Sequence, residues 1–191
     1  MMMKIVTGKG LAWLMLLLPT FALLSGCQST GSLSTSRASV KQSTTFSSVN
    51  CDSNIQIVAA DLPAQLYLRM NNCIKAEEWE DATFLYALAG SKTWYDAKRV
   101  DSQYARAMHG RLLKESIGSL NNQQKTTFWD KVQQNMNDRQ QRETLCRRVK
   151  EAGAPGYQPN YMFIDPSRTV GFTFSNKISW ERAVNSYLEC Q

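Results

Sequence analysis

Cys51, Cys73, Cys146 and Cys190 have the most readily specified chemistry in this 191-residue sequence. No two of them stand in a C-x-x-C spacing, and the chain holds a single histidine, so a zinc-type ligand set is not on offer. An even number of cysteines in an oxidising compartment reads instead as two disulfides. Of the three possible connectivities, Cys51–Cys73 with Cys146–Cys190 is favoured, because each bridge joins neighbouring segments. Each would contribute about 2–4 kcal/mol. Catalytic chemistry finds less support. The sequence has no G-x-S-x-G, H-E-x-x-H or P-loop. His109 is the only histidine and has no evident nucleophile or orienting partner, so it reads as an ordinary helix residue. Glu115, Asp130 and Glu143 are of the right type for a two-carboxylate glycoside mechanism, yet nothing in their spacing singles out a pair. The expectation is a protein with no catalytic residues, no cofactor and no metal.

The compartment follows from the N-terminus. Lys4 and Lys9 give a short positive region, and Leu11 to Leu24 is apolar apart from Pro19 and Thr20. That run is too short and too interrupted to span a bilayer, and it fits the h-region of an export signal. Leu24-Ser25-Gly26-Cys27 then resembles the lipobox of bacterial lipoproteins. The resemblance implies cleavage before Cys27 and acylation of that residue, with residues 1–26 as the signal. Gln28 in place of Asp implies the outer membrane, facing the periplasm. Acyl chains anchor through roughly 0.8 kcal/mol per buried CH₂.

Residues 28–49 hold 12 Ser or Thr in 22 positions, with few large apolar side chains. Such a segment cannot bury enough surface to offset its ordering entropy. Residues 27–49 are therefore expected to be a lipidated flexible tether, with ends on the order of 25 Å apart. Residues 50–191, about 140 residues, match one ordinary domain, and the chain is 43% hydrophobic, enough for one core. The formal charge of +6 falls to +4 when Lys4 and Lys9 leave with the signal. Basic balance raises the question of nucleic acid, but an exported lipoprotein does not meet it, so no nucleic-acid partner is expected.

The elements that would position these residues read as helices. Asp61 and Pro63 start one, carrying Leu66, Leu68 and Met70. A second begins in the acidic Glu77-Glu78-Trp79-Glu80-Asp81 stretch, carries Phe84, Leu85 and Leu88 on its apolar face, and is expected to stop at Gly90. A third follows Asp101 as N-cap, with Tyr104, Met108, Leu112 and Ile117 at helical spacing. Phe128, Trp129, Val132 and Met136 mark a fourth, and Asp138 to Gly153 a fifth. In the fifth, Arg139, Arg142, Arg147, Arg148 and Lys150 read mostly as a solvated face. Pro155, Gly156 and Pro159 break the pattern, "TVGFTF" offers a short strand, and Trp180, Val184 and Leu188 close the chain on a last helix. The fold class is mainly α: a compact domain of five or six helices, an irregular Pro/Gly segment, two disulfides and one candidate strand. Asp96 and Arg99, three apart, are spaced for a structural salt bridge.

"LYLRMNNCIKAEEWEDATFLYALAGSKTWYDAKRVDSQYARAMHGRLL" (66–113) and "LCRRVKEAGAPGYQPNYM" (145–162) cover a little under half of the domain. With "ALAG" and "YDAKRV" carrying the likeness, they resemble bacterial lipoproteins associated with type VI secretion lipase effectors. The resemblance implies a periplasmic immunity protein whose partner is a secreted lipase, neutralised by occlusion of its active-site cleft. An outer-membrane scaffold lipoprotein in envelope assembly or secretion is the alternative. Tyr157 and Tyr161, in the irregular segment, are candidate partner contacts if exposed, since tyrosine combines a large contact area with a polar tip. The competing reading has them pinning that segment to the core.

Overall fold

The computed structural model describes Cys51, residues 57–175 and residues 177–191. The signal, Cys27 and the tether lie outside the described residues. Six α-helices follow in order: α1 (Pro63–Lys75), α2 (Trp79–Val100), α3 (Gln103–Ile117), α4 (Asn122–Asn137), α5 (Arg139–Glu151) and α6 (Trp180–Leu188). Two short 3₁₀ turns, Asn160–Met162 and Pro166–Thr169, lie between α5 and α6. The fold is mainly helical, with no strand among the described residues. None of its helices is long and apolar enough to cross a membrane.

Local chemistry sets the boundaries. Pro63 occupies the first turn of α1, where its missing N–H costs nothing, and the Gln65 side chain accepts from Leu62 N–H at 2.8 Å. Asp61 therefore lies just outside the helix and bonds Val58 N–H instead. Asn121 and Gln124 form a reciprocal capping box on α4. Asp138 caps α5, as its sequence position suggested.

Three expectations need correction. First, α2 does not stop at Gly90 but runs to Val100. Gly90 is small there because the Tyr187 ring of α6 fills the space a Cβ would take. A glycine chosen for close approach looks in sequence like a glycine chosen to end a helix. Secondly, Asp101 is not the cap of α3. It closes α2 in a left-handed conformation (φ 49°), and Ser102 caps α3 by accepting from Ala105 N–H at 3.1 Å. Similarly, Glu77 is the left-handed link (φ 63°) before α2, not part of its first turn. Thirdly, "TVGFTF" is not a strand: Gly171 has φ +76° and Phe172 N–H bonds Thr169 C=O, a local turn with no neighbouring strand to pair with among the described residues.

α2 is the central post. α1 packs back along it as a hairpin, and α3, α4, α5 and α6 all touch it. The larger core joins Leu66, Met70 and Ile74 of α1, Leu85 and Leu88 of α2, Phe128 of α4, Val149 of α5 and Val184 of α6. A smaller core at the far end of α2 gathers Ala97, Val100, Ala105, Met108 and Met162. The disulfides are Cys51–Cys73 and Cys146–Cys190, with Cα separations of 4.8 and 6.1 Å. The first ties the incoming chain to the C-terminal end of α1, and the second ties the outgoing chain to α5. Arg148 of α5 is not simply solvated. Its guanidinium bonds Glu80 at 2.7 Å and lies 4.4 Å from the Phe84 ring, pairing the acidic start of α2 with α5.

Candidate functional site

His109 sits on α3 facing α1, α2 and α6. Its Nδ1 is 2.8 Å from the Tyr67 hydroxyl and 3.3 Å from Thr93 Oγ1, and its Nε2 is 3.4 Å from the Tyr187 hydroxyl. Thr93 also donates to the carbonyls of Ala89 and Gly90. Burial pushes the histidine pKa down and those of Tyr67 and Tyr187 up, so all three are neutral near pH 7. This is a set of neutral hydrogen bonds stitching three helices to α3. Glu115, Asp130 and Glu143 lie on α3, α4 and α5, and among the described residues no hydrogen bond or ion pair joins any two of them. Glu143 accepts from Gln191 N–H at 3.0 Å.

The second half of α2 carries a different arrangement. Lys92 and Asp96, one turn apart, are both fully buried. Lys92 Nζ donates to Asp61 C=O at 2.9 Å and approaches Ala59 C=O at 3.4 Å, holding the segment that leads into α1. Asp96 Oδ2 accepts from Tyr161 at 2.7 Å and Tyr157 at 3.1 Å, while Oδ1 faces the Arg99 guanidinium at 3.5 Å. The Asp96–Arg99 pair expected from the sequence is present. Burial raises the Asp96 pKa to about 6 against the opposing pull of the two hydroxyls, Arg99 and Lys92. Desolvation lowers the Lys92 pKa, with Asp61 and Asp96 pulling the other way. Gly156 N–H bonds Ala59 C=O at 2.9 Å, so the two held segments also hold each other.

Tyr157 and Tyr161 are half-buried, and their hydroxyls are committed to the protein's own carboxylate. Their exposure, the condition for a contact role, is met only in part. They fix the irregular segment, and the apolar surface lies further along it. Ile164 is 82% exposed, Val170 88% and Phe172 37%. The Phe172 ring itself sits 5.0 Å from Phe163 and 5.1 Å from Phe174, and Arg99 covers Phe174 at 4.9 Å. Ser175 N–H bonds Arg99 C=O, closing the segment back onto the end of α2. A groove of about 530 Å³ opens beside this aromatic base, between Val100, Tyr104, Met162, Phe163, Ile164 and Phe172, with Arg168 at its edge.

Lys92 and the exposed apolar tip were not identified from the sequence. A lysine inside an otherwise apolar helical run is a usable signal, because full burial of lysine without a partner is rare. Several large apolar residues in one Pro/Gly-broken stretch are another, since exposed apolar residues are informative when they cluster and not when they are scattered. Set against known protein families, curated proteins and solved structures, the chain matches none.

Proposed function

We propose that this chain is a lipid-anchored, periplasm-facing lipoprotein of the outer membrane that binds a type VI secretion lipase effector and neutralises it by occluding its cleft. One observation carries most weight: the segment 162–174, which exposes Ile164, Val170 and Phe172, is tied to the end of α2 by Tyr161 on Asp96 before it and Ser175 on Arg99 after it. Preorganised apolar surface suits a binding protein, because little ordering entropy remains to be lost on association. The compartment and the class of partner are inferred from the likeness of Leu24–Cys27 to a lipobox and from the resemblance of 66–113 and 145–162.

The reading requires stoichiometric action. Purified chain added to a candidate type VI secretion lipase effector should abolish phospholipid hydrolysis near one equivalent, with a complex on size-exclusion chromatography. Inhibition at far less than one equivalent would mean that the lipase is modified or destroyed. No inhibition and no complex would move the assignment to the scaffold lipoprotein. Cys27→Ala should leave the chain unanchored on fractionation, and normal membrane recovery of that variant would overturn the lipoprotein reading.

A further inference from the structure

We propose that the cavity between the second half of α2 and the first half of α3 is a binding site for a small apolar monoanion, of the class of an aromatic carboxylate. The site does not depend on the lipase reading, and it shares no lining residue with the groove beside Ile164. The cavity holds about 190 Å³ and is lined on both helices by small side chains, Ala97 on α2 and Ala105 on α3, with Trp94 as a wall. Packed helices seldom leave such space, because unfilled volume costs stability. The wall is apolar in effect. Thr93 Oγ1 has its proton committed to the carbonyls of Ala89 and Gly90, and both ring nitrogens of His109 face hydroxyls of Tyr67, Thr93 and Tyr187. A water molecule needs two to four polar partners, so this wall favours an apolar occupant. An apolar space of about 150 Å³ accepts benzene, so this one has room for a single ring with a substituent.

The mouth fixes the sign of the ligand's charge. Lys98 and Arg106 are exposed there beside Asp101. Arg106 pairs with Asp101 at 2.9 Å, so those two charges largely cancel. Lys98 has no ion pair among the described residues, and its Nζ stands 4.7 Å over the Trp94 ring. The mouth therefore carries one uncompensated positive charge, held against the aromatic wall. A molecule with one ring and one carboxylate matches both parts. Its ring takes the space between Ala97, Ala105 and Trp94, and its carboxylate meets Lys98. Arg106 has donors to spare for the same carboxylate while it keeps Asp101. A cationic molecule would meet repulsion at Lys98. Larger ligands are excluded by size, since drug-sized molecules occupy sites of about 300–1,000 Å³.

The test is an NMR titration of the purified, isotope-labelled chain with benzoate, with benzamide as the neutral counterpart and benzylamine as the cationic one. The Trp94 indole N–H is buried without an acceptor among the described residues, so its signal reports on the cavity wall. Benzoate should shift that signal and the Ala97 and Ala105 amide signals saturably, with a Kd of about 1 mM or tighter. Benzamide should bind at least about twofold more weakly, and benzylamine more weakly still. Lys98→Met, a change at an exposed position, should weaken benzoate about twofold to fivefold, the range of a surface ion pair, and leave benzamide unchanged. No saturable shift of these three signals by benzoate up to about 20 mM, or shifts confined to other residues, would overturn the site. Equal affinities for benzoate and benzamide, or unaltered benzoate binding by Lys98→Met, would overturn the assignment to an anion and the proposal with it.

Discussion

The two halves of α2 are built on opposite principles. From Ala82 to Ala89 the helix buries Ala82, Phe84, Leu85, Ala87, Leu88 and Ala89, and keeps its charges at the surface, where Glu80 and Asp81 meet Arg148. From Ser91 to Asp96 it buries Ser91, Lys92, Thr93 and Asp96 at 1% exposure or less. The first half meets other helices, whose backbone groups are already paired internally, so shape and apolar area suffice. The second half meets α3 and α6 too, but it also meets irregular chain at 57–61 and 156–161, whose carbonyls and hydroxyls have no ladder to join. Those groups need fixed polar partners, and the helix supplies them at the cost of desolvating two ions. Buried charge is therefore found where non-helical backbone has to be held, and the segment it holds leads to the exposed apolar tip.

The largest expected effect breaks the second half. Asp96→Ala leaves Arg99, Tyr157 and Tyr161 without their acceptor and should destabilise by about 3–5 kcal/mol in urea unfolding, as for other broken buried pairs. A loss near zero would mean that the carboxylate is not what holds the segment. Cutting the bridge that ties the chain end to α5, which packs beside the first half, should cost less. Cys146→Ser with Cys190→Ser should cost about 2–4 kcal/mol, with the change confined to α5, α6 and the chain end. Gly90→Ala probes the junction between the halves. Alanine gains up to about 1 kcal/mol in helix propensity, but its Cβ collides with the Tyr187 ring, an overpacking that costs about 1–3 kcal/mol. A net loss of about 0–2 kcal/mol is expected by those same principles, and stabilisation would show that Tyr187 moves aside freely.

The smallest effect is the most diagnostic of buried charge. The folded pKa of Asp96, about 6, lies above its ordinary value of 3.8, so between those values the folded state binds the extra proton. Stability attributable to this group should therefore rise as pH falls from 7 towards 4, the reverse of a salt-bridged surface carboxylate. From pH 7 to 5 the wild type should gain roughly 1 kcal/mol relative to Asp96→Asn. Parallel pH profiles for the two chains would contradict the assignment.

Apolar periodicity made most of the helices legible, because side chains three and four apart share a face whatever the tertiary context. The cysteine pairing was legible for a similar reason, since each bridge joins elements near in sequence. Asp96 and Arg99 were recognised as a pair from their spacing, but their burial was not. It depends on Tyr157 and Tyr161 arriving from 61 and 65 residues away. Gly90 misled because its meaning is set by Tyr187 on another helix. The strand expected at 169–174 failed because alternation indicates a strand only when a neighbour is there to pair with. Tyr157 and Tyr161 were chosen for what tyrosines do at surfaces, and their hydroxyls turned inward because a buried carboxylate is the stronger acceptor. The exposed tip is an aliphatic feature of irregular chain, for which neither period applies.

The central claim is that the charged half of α2 exists to position the apolar segment. Amide hydrogen exchange on the wild type and Asp96→Ala tests it most directly, because exchange resolves local from global opening. Phe163, Phe172 and Ser175, whose N–H groups bond Asn160, Thr169 and Arg99, report on the segment. In Asp96→Ala they should exchange at least roughly tenfold faster, while α4 and the first half of α2 stay near wild-type protection. Unchanged exchange at 163–175, or an equal rise across every helix, would contradict the account.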